Sequence, residues 1–266
     1  MTNFIFALFP DEASARAGLE AFEALHMAGD ITLFNHAIVQ RGMDGTLVVL
    51  ERETAPIGSG VGALIGGTAG LFGGLAGLGI GAATGGIIGA VLDLFNLGVS
   101  KEFLSSICKE LVPGKTAVFA EASEEWITLV DARVEAFGGS VIRAARDDFV
   151  EDEIKKRVVR LKREVAARRT EFAARRTEKR LQALHEVVLR SEENLRKAAL
   201  DAARHIEQYR EESDAKLKAL HDQLQSASPA TKARIEQRII DLQTDQKQRL
   251  AKIHDALRLA REAMEA

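Results

Sequence analysis

The residues that could do chemistry in this chain are few and poorly spaced for it. Six histidines are present, but no two stand four apart, and neither an HExxH nor a His-Cys ligand spacing occurs. His205 and His254 would approach each other only if the C-terminal helices folded back, and a solvated helix-surface histidine is the ordinary reading of each. Cys108, the single cysteine, follows Leu104 and precedes Leu111 on a short apolar face, which suits a buried thiol better than a nucleophile. It also rules out an internal disulfide and gives no sign of an oxidising compartment. Asp93 is the one carboxylate within an otherwise apolar segment, placed near its end like an interfacial residue. Glycines are plentiful, yet the stretch that holds them has no lysine, so it lacks the Lys-Ser or Lys-Thr of a phosphate-binding loop. No catalytic set, no metal site and no cofactor are expected, and the expectation is a protein that is not an enzyme.

Charge offers a second candidate. The net charge of −3 hides an uneven split, about −8 over residues 1–147 and about +5 over residues 148–266. The positive part is concentrated in Lys155, Lys156, Arg157, Arg160, Lys162, Arg163, Arg168, Arg169, Arg175, Arg176, Lys179 and Arg180. Anionic lipid head groups or an acidic partner fit such a block, at roughly 1 kcal/mol per basic residue near a charged surface. A solvated helix balanced by the acidic domain of a neighbouring subunit is the alternative. Nucleic acid ranks lower, because no aromatic residues interleave for base stacking.

The third candidate is the stretch from Pro56 to Leu97, which has no charged side chain between Glu53 and Asp93. Gly58, Gly62, Gly66, Gly70 and Gly74 fall four apart, and Gly77, Gly81, Gly85 and Gly89 repeat the spacing after a break at Leu75–Gly79. Such stripes place bare backbone on one side of each of two helices, where another helix can pack closely. Glycine disfavours helix in water by roughly 1 kcal/mol per residue, so the surroundings must compensate, as a bilayer does. Each half has about 17 to 19 residues, the short end of a membrane span. The expectation is a membrane hairpin over 56–99 with both ends on one side; a buried glycine-rich packing element of a soluble oligomer is the alternative.

The flanking sequence must position this hairpin. Asn3–Pro10 reads as a strand, the stretch from Asp11 to Gly29 as a helix with Ala17, Leu19, Phe22 and Leu25 inward, and 32–41 and 46–54 as two strands joined through Gly42–Gly45. After the hairpin, Ser100 is placed to cap a helix that Pro113-Gly114 ends, and Thr116–Ala122 is a strand. A Ser123-capped helix should follow, with Trp126, Leu129, Val130, Val134 and Phe137 inward, and then a strand over Ser140–Ala145. The fold class is therefore α+β: a ferredoxin-like sheet domain over 1–55 and 100–147 with the hairpin inserted. MTNFIFALFPDEASAR has no basic residue ahead of its apolar run, so it does not read as a signal peptide.

The element order, the glycine-rich hairpin, the segment Pro113–Ala122 (PGKTAVFAEA) and the closing Phe137–Ala144 (FGGSVIRA) together resemble a family of bacterial predicted membrane proteins, the domain of unknown function 1269. The resemblance covers residues 3 to about 147. It implies membrane association and supplies no catalytic residue.

Past residue 147 the sequence reads as helix alone. There is neither glycine nor proline from Asp148 to Gln225, and Ile154, Val158, Leu161, Val165 and Phe172 space a seam into which Arg168 intrudes. Leu181, Leu184, Val188, Leu195, Ala202, Ile206 and Tyr209 extend it. Ser228-Pro229 should stop this long helix, 148–227, and open a second, 228–266, that folds back so that Ile253 faces about Arg204; a parallel oligomer is the alternative.

Together these features predict a non-enzymatic, self-assembling, membrane-associated scaffold whose subunits pack through the glycine stripes, with no small-molecule substrate evident. The expected place is the bacterial inner membrane with both termini cytoplasmic, or else a cytoplasmic soluble assembly. A pore or mechanosensitive conductance lined by the hairpins, with Asp93 as its polar ring, and a closed soluble oligomer are the alternatives.

Overall fold

The computed structural model describes residues 2–52, 68, 101–145, 149–174 and 178–265. The hairpin over 56–99, its packing glycines and Asp93 lie outside the described residues, as do Ser100, Arg175 and Arg176. What is described is a mixed α+β protein, mostly helical, in two units: residues 1–147 with 214–242, and residues 148–213 with 243–266.

The first unit is built on a five-stranded antiparallel sheet. Its elements are β1 (Thr2–Phe9), α1 (Glu12–Met27), β2 (Ile31–Arg41), β3 (Leu47–Arg52), α2 (Lys101–Glu110), β4 (Thr116–Glu124), α3 (Ile127–Glu135) and β5 (Ser140–Ala145). The strand order is β3-β2-β4-β1-β5. β4 thus lies between β1 and β2, and β1 between β4 and β5, so β1-α1-β2 and β4-α3-β5 interleave as split β-α-β units.

Side-chain alternation along the strands gives the sheet two buried faces. Ile5, Ala7, Phe9, Ile38, Val118 and Ala120 meet Leu19 and Phe22 of α1 and Val130 and Val134 of α3. On the other face Phe4, Phe6, Val39, Ala117 and Phe119 meet Phe103, Leu104, Ile107 and Leu111 on and just after α2. Each such aromatic or aliphatic burial contributes about 1.5–3 kcal/mol. Beyond α2 the same face carries Glu121 and Ser123, and here residues 214–242 of the C-terminal helices complete the unit. A β-bulge between Leu33 and Asn35 leaves Phe34 unpaired in the ladder, and it packs with Leu220, Ile235 and Ile239.

Local chemistry explains the ends of α1. Asp11 caps it, accepting from the Ser14 amide at 2.8 Å, and that bond lowers the Asp11 pKa. At the other end Gly29, with φ +75°, allows the Asp30 amide to reach Leu25 O at 2.9 Å, a Schellman closure.

The second unit holds α4 (Phe149–Ala174) and the adjoining parts of two long helices, α5 (Glu178–Ser226) and α6 (Pro229–Glu265). Val158 and Val165 of α4 share a buried cluster with Leu195 and Ala198 of α5 and Ala256 and Ala260 of α6. This corrects the single helix expected from 148 to 227. In one straight helix Val158 and Leu195 would stand about 55 Å apart, so the chain reverses between them and three helices, not two, share this core. Ile253 packs with Ala202 and Ile206, on either side of Arg204.

α3 also departs from expectation. Ser123 is not its cap but a buried member of β4, because the ladder to β1 and β2 runs on to Ser123 and Glu124. The helix therefore starts later, after an N-cap Trp126 with no capping side chain, and buries only Val130 and Val134. Trp126 is 52% and Phe137 36% exposed, so neither faces the core.

Gly29 yields a test. A Cβ there would lie 2.0 Å from Thr231 Cγ2 as well as in a left-handed backbone, so Gly29→Ala should cost about 1–3 kcal/mol in urea unfolding. Adding Thr231→Ser removes the methyl that clashes and should recover part of the loss, leaving the backbone strain.

Candidate functional site

The polar chemistry of the first unit is gathered where residues 214–242 meet the sheet. Alternation along β4 turns Glu121 toward α5, where it forms a buried ion pair with Lys216; the two side chains are 0% and 3% exposed. The Lys216 ammonium also lies 5.4 Å from the centre of the Phe34 ring. One and two turns further along α5, Leu220 and Gln223 continue the face. Gln223 donates to His26 O at 2.7 Å and Ile31 O at 2.9 Å, and accepts from Thr32 Oγ1 at 2.7 Å.

α6 completes the seam. Arg238, buried, donates to Gly29 O at 3.1 Å, Asp30 O at 2.6 Å and Thr32 Oγ1 at 3.2 Å. It thereby satisfies two carbonyls of the turn that leads from α1 into β2. Burial lowers the Arg238 pKa and Arg234 adds to the effect. Arg234 pairs with Asp30 at 3.1 Å and lies 5.7 Å from the Trp126 ring centre. Beside these residues opens a groove of about 290 Å³ lined by Ser123, Glu125, Arg234, Gln237, Arg238 and Asp241. Glu124 on its edge is already engaged, accepting from Asn3 at 2.9 Å and Arg143 at 2.7 Å.

The seam is thus a set of hydrogen bonds and ion pairs fixing a distant segment to a sheet; no nucleophile and base are brought together in it. The sequence marks none of these residues as a functional candidate. A faint signal existed: Lys216, Gln223, Thr231 and Arg238 are polar residues that interrupt or adjoin the apolar seams of α5 and α6, yet all are buried.

The second unit carries the basic block, and there the structure supplies partners from the same chain. Lys155 pairs with Asp255 at 2.6 Å, Lys162 with Glu262 at 3.0 Å, Arg169 with Glu192 at 2.9 Å, and Arg157 approaches Asp201 at 3.8 Å. Lys156 and Arg168 meet Glu153 and Glu171 on their own helix at 2.8 and 3.4 Å. Arg160 and Arg163 are exposed. Deeper in the bundle His205 lies 3.4 Å from Glu151, and Glu151 is 3.6 Å from Arg249. Burial pushes the Glu151 carboxyl up, but the His205 and Arg249 contacts outweigh it and hold the pKa below 4.5. Tyr209 donates to Asp245 at 3.1 Å, and Asp245 also holds Arg249 at 2.8 Å.

His205 therefore meets Glu151, and His254 is exposed; among the described residues no group of three or more His, Cys, Asp or Glu is placed to hold a metal ion. Cys108 is partly buried, and burial pushes its thiol pKa up. Among the described residues, no helix is long and apolar enough to cross a membrane.

With its interleaved sheet and long helical extension, the chain is an α+β protein whose architecture alone assigns no chemistry. Residues 55–159 match the model of a family described as "Protein of unknown function (DUF1269)". The match takes in the glycine-rich stretch, Pro113–Ala122 and Phe137–Ala144, on which the resemblance rests, and ends within α4; the first three strands and α1 lie outside it. No curated protein and no solved structure matches the chain.

The buried pair yields the second test. Lys216→Met leaves Glu121 buried without its cation and should cost about 3–5 kcal/mol in denaturant unfolding. Lys216→Met combined with Glu121→Leu should restore most of that stability, because the cost lies in the orphaned charge.

Proposed function

We propose that this protein is a non-enzymatic, membrane-associated scaffold that assembles with copies of itself through its glycine-striped segment. One observation carries the reading: a stretch with no charge from Thr54 to Leu92 and nine regularly spaced glycines is inserted between β3 and α2 of one compact unit. A segment that leaves and re-enters the same folded unit is suited to a hairpin with both ends on one side of a bilayer. The sheet, read without its edge strand β3, runs β2-β4-β1-β5, an order that supports the ferredoxin-like reading and would suit a platform for such a hairpin.

The pairing of the basic block shifts the expected mode of attachment. Among the described side chains, six of its cations have acidic partners in α4, α5 or α6, which weighs against them as the main hold on anionic head groups. Attachment then rests on the hairpin and self-association on its stripes, where close helix contact in lipid favours small residues. The family described as of unknown function matches this same stretch and is compatible with the reading.

Gly66→Leu with Gly85→Leu tests it. The substitutions raise hydrophobicity, so the protein should stay in the carbonate-washed membrane pellet, while bulk on the stripes should reduce the detergent-solubilised particle to a smaller species in sedimentation. An unchanged sedimentation profile, or release of the wild-type protein by carbonate, would overturn the proposal.

A further inference from the structure

At the seam between α1, β2 and residues 214–242 lies the imidazole of His26. His26 lies in the last turn of α1, and its Nδ1 accepts the backbone N–H of Leu33 at 3.2 Å. The Gln223 side-chain nitrogen stands 3.2 Å from the same Nδ1, with its hydrogens directed to His26 O and Ile31 O. The Leu33 N–H thus points at Nδ1, which must present a lone pair to it, and the amide nitrogen of Gln223, another donor, flanks the same ring nitrogen. An imidazolium carries hydrogens on both nitrogens, so its Nδ1–H would point into donors.

We propose that His26 is a proton-sensitive catch: the segment 214–242 stays docked on the sheet while the imidazole is neutral and is released when Nδ1 takes up a proton. Expelling Gln223 removes its bonds to His26 O, Ile31 O and Thr32 together, since one side-chain amide makes all three. The neighbouring bonds of Arg238 to Gly29 O, Asp30 O and Thr32 lie on the same loop and loosen with it.

The surrounding charges favour this sense. From α6 Arg238 faces the ring and repels a second cation, while Arg234 is occupied by Asp30 of the turn. α5 contributes the uncharged Gln223, and β2 the uncharged Ile31, Thr32 and Leu33. His221, the other histidine of this part of α5, is exposed and sits 2.6 Å from Leu217 O on its own helix. Against them, the C-terminus of α1 and the Ile31 carbonyl favour a cation. Burial and Arg238 prevail, and the His26 pKa is lowered from 6.5. A histidine whose pKa is lower docked than free supports docking fully above about 6.5 and progressively less as the pH falls below it, by at most about tenfold per unit for one proton.

The full-length protein carries its own reporter. Trp126 is the only tryptophan, and its ring lies 5.7 Å from the Arg234 guanidinium of the docked segment. Wild type and His26→Gln, whose side-chain oxygen can accept the Leu33 amide without titrating, are compared between about pH 7.5 and 5 by Trp126 emission and by exchange of the Leu33 amide, corrected for intrinsic rate. The proposal expects a change beginning near 6.5 in the wild type, with Leu33 protection falling up to tenfold per unit, and a flat profile in His26→Gln. A flat wild-type profile, or the same profile in both proteins, overturns it. Should His26→Gln fail to fold, NMR titration of the wild-type ring decides: a midpoint below 6.5 supports the catch, and one at or above 6.5 overturns it.

Discussion

Everything in the first unit depends on how one sheet face is divided between oil and charge. Over its first half β4 sends Ala117 and Phe119 against α2, and over its second half it sends Glu121 and Ser123 out on the same side. A carboxylate buried there needs a cation, and the sequence supplies it 95 residues later as Lys216. Such a pair adds little net stability, since both ions lose their hydration. What it does is fix register. If α5 slid by one turn, Leu220 would face Glu121, and Gln223 would leave the three groups it joins. The apolar contacts of Phe34 with Leu220, Ile235 and Ile239 bind the segment, and the charged and amide groups decide where.

The second unit uses the same division of labour at lower cost per group. Its core is narrow and rich in alanine, with Ala198, Ala256, Ala260 and Ala263 around Val158, Val165 and Leu195. Small side chains bring the three helices close but distinguish poorly between neighbouring registers. Arg249, Glu151, Asp245, Tyr209 and His205 form a polar cluster that only one alignment satisfies. The outer ion pairs, mostly half exposed, contribute at most about 1 kcal/mol each, yet they give six basic residues of α4 acidic partners within the same chain.

The sequence carried the local structure well. Periodicity from Asp11 and the Gly29 stop located α1, and alternation located the strands, because these signals arise within a few residues of where they act. It failed where the deciding partner was distant. Trp126 and Phe137 were placed inward by apolarity alone, whereas β4 continues to Glu124 because Thr2, Ile31 and Thr32 pair with its end. The reversal between Val165 and Leu195 has no glycine or proline to announce it. The seam was invisible for the same reason: Gln223 lies 191 residues from Thr32, and Arg238 lies 209 from Gly29. Lysines and arginines in a helix with heptad spacing look solvated until the sheet that buries them is known.

The discontinuity of the first unit sets an order of events during synthesis. All five strands and the glycine-rich stretch are made before residue 147, but the face that carries Glu121 is not covered until residue 242 has emerged. At ribosomal speeds of roughly 5–20 residues per second, that leaves an interval on the order of 5–20 s. Throughout it the sheet is complete in its strands and open on half of one side, while the charge-free stretch has already left the ribosome. A nascent chain of this design therefore exposes its glycine-rich stretch to its surroundings before it can close its own sheet.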